Sequence, residues 1–166
     1  QLQIKAKYGC KCKDIRGNVP TRLKKLDDGE YDGIILARAG LDRLDMIDID
    51  KYNYEFFETL DFVPAPCQGI IAVENRADDE YIRDVLKAIN HMETYVCFVA
   101  ERAFLKAMDS GCQTPLGAIS EIGENNLKME CFYYKDRIVK MSIEGENPVL
   151  TAAVLAKKLK EVTNEG

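Results

Sequence analysis

Three strand-like runs near the end of the chain constrain its fold most. They are Ala118 to Ile122, Leu127 to Tyr134 and Ile138 to Ile143, joined by Gly123-Glu124-Asn125-Asn126 and by Lys135-Asp136. Connections this short and rich in Gly, Asn and Asp are hairpin-like, so the runs are expected to pair as an antiparallel meander. Pro148 then opens a helix whose Leu150, Val154, Leu155 and Leu159 form an apolar stripe. Two helices precede the meander. Asp78 or Asp79 can cap one that runs to about Ile89. Asn90 can cap the other, in which Met92, Val96, Val99 and Ala103 recur at helical spacing. Helices, meander and packing helix together predict a compact α+β unit with a three-stranded antiparallel sheet.

The earlier part of the chain follows a different grammar. Ile4 to Ile15 alternates weakly and suits one or two short strands. Asn18 is a plausible N-cap, with Pro20 in the first turn of a helix running to about Leu26. Tyr31 to Ala37 reads as a buried strand, and Ala39 to Leu44 as a short turn or helix. Residues 45 to 60 read as a polar, acidic and aromatic loop. Pro64 and Pro66 should hold the next segment extended, before a further buried strand at Gly69 to Val73. Strand, helix, strand and loop predict an α/β lobe with ligands at the carboxyl ends of its strands. A composition shift at Glu74 to Asp79 places the boundary there, giving an α/β portion over residues 1–76 and an α+β domain over 77–166.

Charge and cysteine usage narrow the function classes. A net charge of -5 over 166 residues argues against general nucleic-acid or anionic-membrane binding. No apolar run approaches membrane-spanning length, and no secretory signal pattern opens the sequence. Cys10 and Cys12 are separated by one residue rather than the two to four of a zinc knuckle. His91 is the single histidine, so no metal site is expected. Cys97 and Cys131 fall in apolar periodic segments and read as small buried hydrophobes. Irregular cysteine spacing suggests a reducing, cytoplasmic setting.

Cys112 is different. It lies in Asp109-Ser110-Gly111-Cys112-Gln113-Thr114-Pro115-Leu116-Gly117, on a sharp bend directly after a helix. Reactive thiols favour such accessible, locally electropositive positions. Arg16, Arg22 and Arg43 lie in the α/β portion, Arg16 and Arg43 just past the ends of predicted strands. Local sequence alone also allows Arg16 and Arg22 to be ordinary surface residues flanking a helix, and Arg43 to pair with Asp42.

Three segments taken together go further: Arg16-Gly17-Asn18-Val19-Pro20-Thr21-Arg22-Leu23, Asp32 to Leu44, and Gly111-Cys112-Gln113-Thr114-Pro115-Leu116-Gly117. With Pro66-Cys67-Gln68-Gly69 and Ala100-Glu101-Arg102-Ala103-Phe104 in the same order, the chain resembles hydroxymethylbilane synthase, also called porphobilinogen deaminase. The resemblance implies a partial periplasmic-binding-protein-like lobe, a mixed sheet with helices, followed by the small α+β domain. It implies a transferase of porphyrin and heme biosynthesis that condenses four porphobilinogen units head to tail, with loss of ammonia, into hydroxymethylbilane. The growing polypyrrole chain would be held on a dipyrromethane cofactor joined through a thioether to Cys112. Arg16, Arg22 and Arg43 match positions that bind the carboxylates of the pyrroles; Thr21, Gly40 and Gln68 would shape the cleft, and Arg38 would be peripheral. The chemistry is consistent, because each pyrrole unit brings an acetate and a propionate, and guanidinium grips carboxylate with a planar two-pronged fork. A thiolate is a suitable soft nucleophile to trap, once, the electrophilic carbon left by deamination.

One departure sets a further expectation. No aspartate among Asp27, Asp28, Asp32 and Asp42 lies in a segment matching the family's catalytic aspartate, so no catalytic residue is assigned. The sequence opens on Gln1-Leu2, where the family's second lobe is already under way. The chain is therefore expected to be a C-terminal portion lacking most of the first lobe. The N-terminal portion would be its partner, and the piece alone would be inactive. The competing possibility is a non-catalytic anion-binding α/β module.

Overall fold

A computed structural model describes residues 1–59, 61–109 and 115–163. The chain divides into two compact units, Gln1–Phe56 and Phe57–Gly166.

The first unit carries three short helices: α1 (Leu2–Tyr8), α2 (Val19–Asp27) and α3 (Arg38–Arg43). Each buries one apolar residue, Ile4, Leu23 and Leu41 respectively. The strands expected within residues 4–15 and 31–37 do not form. Residues 2–8 close local bonds instead, with Lys5 N–H donating to Gln1 and Gly9 N–H to Lys5, both at 2.9 Å. Gly9 ends the helix in the left-handed conformation. A period-2 pattern this short competes poorly with a helix that satisfies its backbone locally. Residues 31–37 have no neighbouring strand among the described residues, and strand propensity is realised only against a paired neighbour.

The second unit contains α4 (Glu80–Lys87), α5 (Met92–Met108), β1 (Leu116–Ile122), β2 (Leu127–Tyr134), β3 (Ile138–Gly145) and α6 (Pro148–Val162). The strands form one antiparallel sheet in the order β1-β2-β3, as the hairpin spacing predicted. Its helix starts are chemically explicit. Asp79 accepts from Ile82 N–H, His91 Nδ1 from Thr94 N–H, and Asn147 from both Val149 and Leu150 N–H. The cap of α5 is thus His91, one residue beyond the expected Asn90. Gly69 to Val73 is not a buried strand; Ile71 is 82% exposed.

Helices α5 and α6 cover one face of the sheet. Ala100 and Phe104 from α5, Met129 and Cys131 from β2, and Ala152, Leu155 and Leu159 from α6 form the core. The buried stripe of α6 is rotated from the expected one: Leu150 and Val154 are exposed, while Thr151, Ala152, Leu155, Ala156 and Leu159 turn inward. Helix α5 likewise buries Ala100, Glu101, Phe104 and Met108 rather than Met92. Small alanines on the facing sides let the helices approach closely, and that gain outweighs burying the larger Leu150.

The other face is crossed by residues 61–64. Gly117, Phe132 and Lys140 form one row across the three strands. Lys140 Nζ donates to the Asp61 carbonyl at 2.6 Å, and Ala118 N–H donates to the Pro64 carbonyl at 3.0 Å. Phe132 is consequently buried although it points away from the helices. The crossing requires Gly117, because a Cβ there would lie 2.7 Å from the Pro64 oxygen and 2.9 Å from that of Val63.

Gly117→Ala is therefore expected to destabilise the second unit by about 1–3 kcal/mol, by displacing this backbone. A urea unfolding midpoint checks it, with Ser142→Ala on exposed β3 as the silent control. An unchanged midpoint for Gly117→Ala contradicts the close approach.

Candidate functional site

The arginine-bearing segments of the first unit are arranged around the start of α2. Gly17 adopts φ 121°, and a Cβ there would lie 2.8 Å from Thr21 Cγ2, so the bend after Arg16 needs glycine. Asn18 Oδ1 then accepts from Thr21 N–H at 3.0 Å and from Thr21 Oγ1 at 2.7 Å, fixing the first turn. Arg22, one turn in and half-buried, donates its Nε–H back to the Gly17 carbonyl at 2.7 Å. That bond draws Arg22 to the residue next to Arg16. Gly40 faces Val19, with 3.6 Å between a notional Cβ and Val19 Cγ2. Helix α3, which ends on Arg43, is thereby laid beside the same helix start.

The guanidinium groups are not equivalent. Arg16 and Arg43 are exposed, and among the described residues neither has a hydrogen bond or ion pair. Arg38 is engaged twice, with Asp42 at 3.4 Å and over the Phe56 ring at 4.8 Å. It is pinned within its own unit, whereas Arg16 and Arg43 have their donors available.

A cavity of about 340 Å³ also opens beside α2, lined by residues including Leu23, Lys24, Asp27, Asp48, Lys51 and Tyr52. None of Arg16, Arg22 and Arg43 lines it. Its lysines are already neutralised: Lys24 pairs with Asp28 at 2.6 Å and Lys51 with Asp27 at 2.7 Å. The Lys51 ammonium and the Tyr52 hydroxyl hold the Asp27 carboxyl below the usual carboxylate range. Asp45 and Asp48 add further negative charge to its wall. A polycarboxylate would meet repulsion there and donors at the arginines.

In the second unit Cys112 lies outside the described residues, as do its neighbours at 110, 111, 113 and 114. Of the cysteines that are described, none is in a disulfide. Burial pushes the Cys67 and Cys97 thiols up, and drives the Cys131 thiol up to about 12. These three are poorer thiolate sources than an ordinary exposed cysteine.

One polar centre here was not singled out from sequence. Glu101, on the buried face of α5 and only 4% exposed, accepts from Ser120 N–H and Ser120 Oγ, both at 2.9 Å, and from Cys67 N–H. Cys67 has φ 63°, unusual for a residue with a side chain. The signal available was a carboxylate spaced with Ala100, Phe104 and Met108 on one helical face.

A dipyrromethane with acetate and propionate arms fits the first unit's donor set, since exposed guanidinium groups without a protein anion are what such arms require. No described group of His, Cys, Asp and Glu could hold a metal ion, and no helix is long and apolar enough to cross a membrane. Residues 1–84 match the family model described as porphobilinogen deaminase, dipyromethane cofactor binding domain, and residues 95–163 match porphobilinogen deaminase, C-terminal domain. The chain is 47% identical to a porphobilinogen deaminase of Carboxydothermus hydrogenoformans over 119 residues, 70% of this chain and 36% of that one. It is 38% identical to that of Ruminiclostridium josui over 166 residues, covering 96% and 55%. A probable porphobilinogen deaminase of Methanocaldococcus jannaschii is 46% identical over 112 residues, covering 68% and 37%. The chain thus spans roughly a third to a half of the length of these relatives.

Burial of Cys131 has a measurable consequence. Its thiol ionises near 9.0 when unfolded and near 12 when folded, so the folded state holds the proton more tightly. The associated stability is complete below about pH 9 and is lost as pH rises towards 12. Urea unfolding of the native chain is expected to show this fall, and Cys131→Ala a shallower one. Equal pH slopes for the two proteins would contradict a buried, protonated thiol.

Proposed function

Because the chain belongs to the porphobilinogen deaminase family, we infer that it is the part of such an enzyme that binds and anchors the pyrrole primer. Dipyrromethane, when bound, supplies the primer on which porphobilinogen units are joined head to tail with loss of ammonia. Cys112 holds it through a thioether, and Arg16, Arg22 and Arg43 hold its carboxylates. The observation that carries this reading is the contrast among the arginines: Arg38 is tied to Asp42 and Phe56, while Arg16 and Arg43 are exposed and have no partner among the described residues.

Each residue's task follows from its chemistry. The guanidinium groups orient and neutralise carboxylates that would otherwise repel one another and the acidic chain. Arg22 is the most constrained of the three, since its Nε is spent on Gly17 and only its terminal nitrogens remain for a ligand. The Cys112 thiolate forms a carbon–sulfur bond once and is not regenerated, which makes it a tether rather than a turnover nucleophile. Proton transfer during condensation needs a carboxylate that no aspartate of this chain supplies by motif. It comes from the N-terminal portion that partners these residues in the whole enzyme.

Mass spectrometry of the Cys112 peptide tests this, with the chain produced alongside the N-terminal portion that its relatives possess. The expected result is a dipyrromethane-sized adduct on Cys112, absent in Cys112→Ser and reduced about tenfold or more when Arg16 and Arg22 are both changed to Leu. The chain alone is expected to consume no porphobilinogen. An unmodified Cys112 in the co-produced protein, with carboxylate binding retained, would overturn the anchor and leave an anion-binding module.

A further inference from the structure

Residues 9–16 form neither helix nor strand, so no ladder of backbone bonds fixes the direction in which the chain arrives at Arg16. A tether across the chain does so instead. Tyr31 Oη donates to the Asp14 carbonyl at 2.9 Å, 17 residues away in sequence. Lys13 Nζ lies 4.1 Å from the centre of the same ring, and Gln1 Nε2 donates to the Asp14 carboxylate at 2.8 Å. The end of α2 brings Tyr31 to this place. Gly29 takes a left-handed φ of 74°, and Glu30 N–H donates to the Lys25 carbonyl at 3.0 Å, so the chain leaves the helix directly before Tyr31. Arg16 is therefore bracketed. Asp14 is held two residues before it by Tyr31, and Gly17 directly after it by the Arg22 Nε–H. The Arg16 side chain itself is exposed and has no partner among the described residues, so the backbone beneath it decides where its guanidinium is presented.

We propose that Tyr31 is a positioning residue for Arg16: through the Asp14 carbonyl it holds the segment from which Arg16 meets a ligand carboxylate. The proposal rests on Arg16 being one of the carboxylate-binding arginines. Tyr31 acts through the backbone and not by contact with the ligand. The gain is preorganisation. A carboxylate that binds a guanidinium on an untethered segment must order the segment as well as the side chain, and that ordering opposes binding. With Asp14 and Gly17 both held, only the Arg16 side chain remains to be ordered. A phenol suits the task, because a rigid ring carries its hydroxyl to the carbonyl while offering a face to Lys13. Tyr31→Phe deletes the hydrogen bond and keeps the ring, whereas Tyr31→Leu removes both. Neither alters Ile4, Leu23 or Leu41, the side chains that the helices of this unit bury.

A double-substitution cycle tests this. A dipyrromethane bearing acetate and propionate arms is titrated into the whole 166-residue chain, and calorimetry gives Kd. Arg16→Leu is expected to weaken binding about tenfold. Tyr31→Phe is expected to weaken it about threefold while Arg16 is present, and to leave it unchanged in the Arg16→Leu chain. Tyr31→Leu is expected to follow the same pattern with a larger loss. Tyr52→Phe, which deletes the 2.8 Å hydroxyl bond to Asp27 elsewhere in the unit, is expected to leave Kd unchanged. A merely structural role for Tyr31 would cost the same affinity with and without Arg16. That result, an equal loss in Tyr52→Phe, or an unchanged Kd in both Tyr31 variants overturns the proposal, and the loss in Arg16→Leu then still stands for the carboxylate reading. A wild-type Kd in Arg16→Leu refutes the carboxylate role of Arg16 and, with it, the positioning of that residue.

Discussion

A buried carboxylate with three donors holds the second unit to one arrangement. Burying an ionised group is costly, and Glu101 recovers the cost only while Ser120 N–H, Ser120 Oγ and Cys67 N–H all point at it. Apolar contacts between α5 and β1 would permit some sliding, whereas these bonds do not. The turn at Cys67 is held in turn, and the residues before it cross the sheet over Gly117 with Phe132 buried beneath. Helix, strand, turn and crossing segment depend on one side chain at one end and one glycine at the other.

The first unit has a complementary economy of charge. Some of its cations pair with acids locally: Lys24 with Asp28, Lys51 with Asp27, Lys7 with Glu55 and Arg38 with Asp42. Arg16 and Arg43 have no acid partner among the described residues, and Arg22 is tied to the Gly17 carbonyl rather than to an acid. Uncompensated guanidinium groups beside a helix start give a carboxylate ligand both charge and directional donors. The cavity beside α2 has volume, but both of its lysines are paired with aspartates.

The elements legible in the sequence were those that stabilise themselves locally. Asn18 caps where its type and position suggested, Pro20 and Pro148 sit in first turns, and the two short connections return the sheet in the expected order. The expected strands at 31–37 and 69–73 were not realised, because apolar runs specify a strand only through a neighbour, and these have none among the described residues. Helical stripes were legible as periods but not as faces. Which side of α5 and α6 turned inward was decided by alanines that allow close packing, a property of the pair of helices. In the candidate site, motifs single out the arginines, while the difference between engaged Arg38 and available Arg16 required side-chain geometry. Glu101 was present in a quoted motif, yet its partners lie 19 and 34 residues away.

The central claim is that the guanidinium groups of the first unit hold pyrrole carboxylates. Side-chain NMR of arginine Nε–Hε groups, recorded as a dipyrromethane bearing acetate and propionate arms is titrated into the chain, measures it most directly. Saturable shifts at Arg16, Arg22 and Arg43, with Arg38 unmoved, are the predicted result. Shifts at Arg38 alone, or none at the other three at saturating ligand, would contradict it.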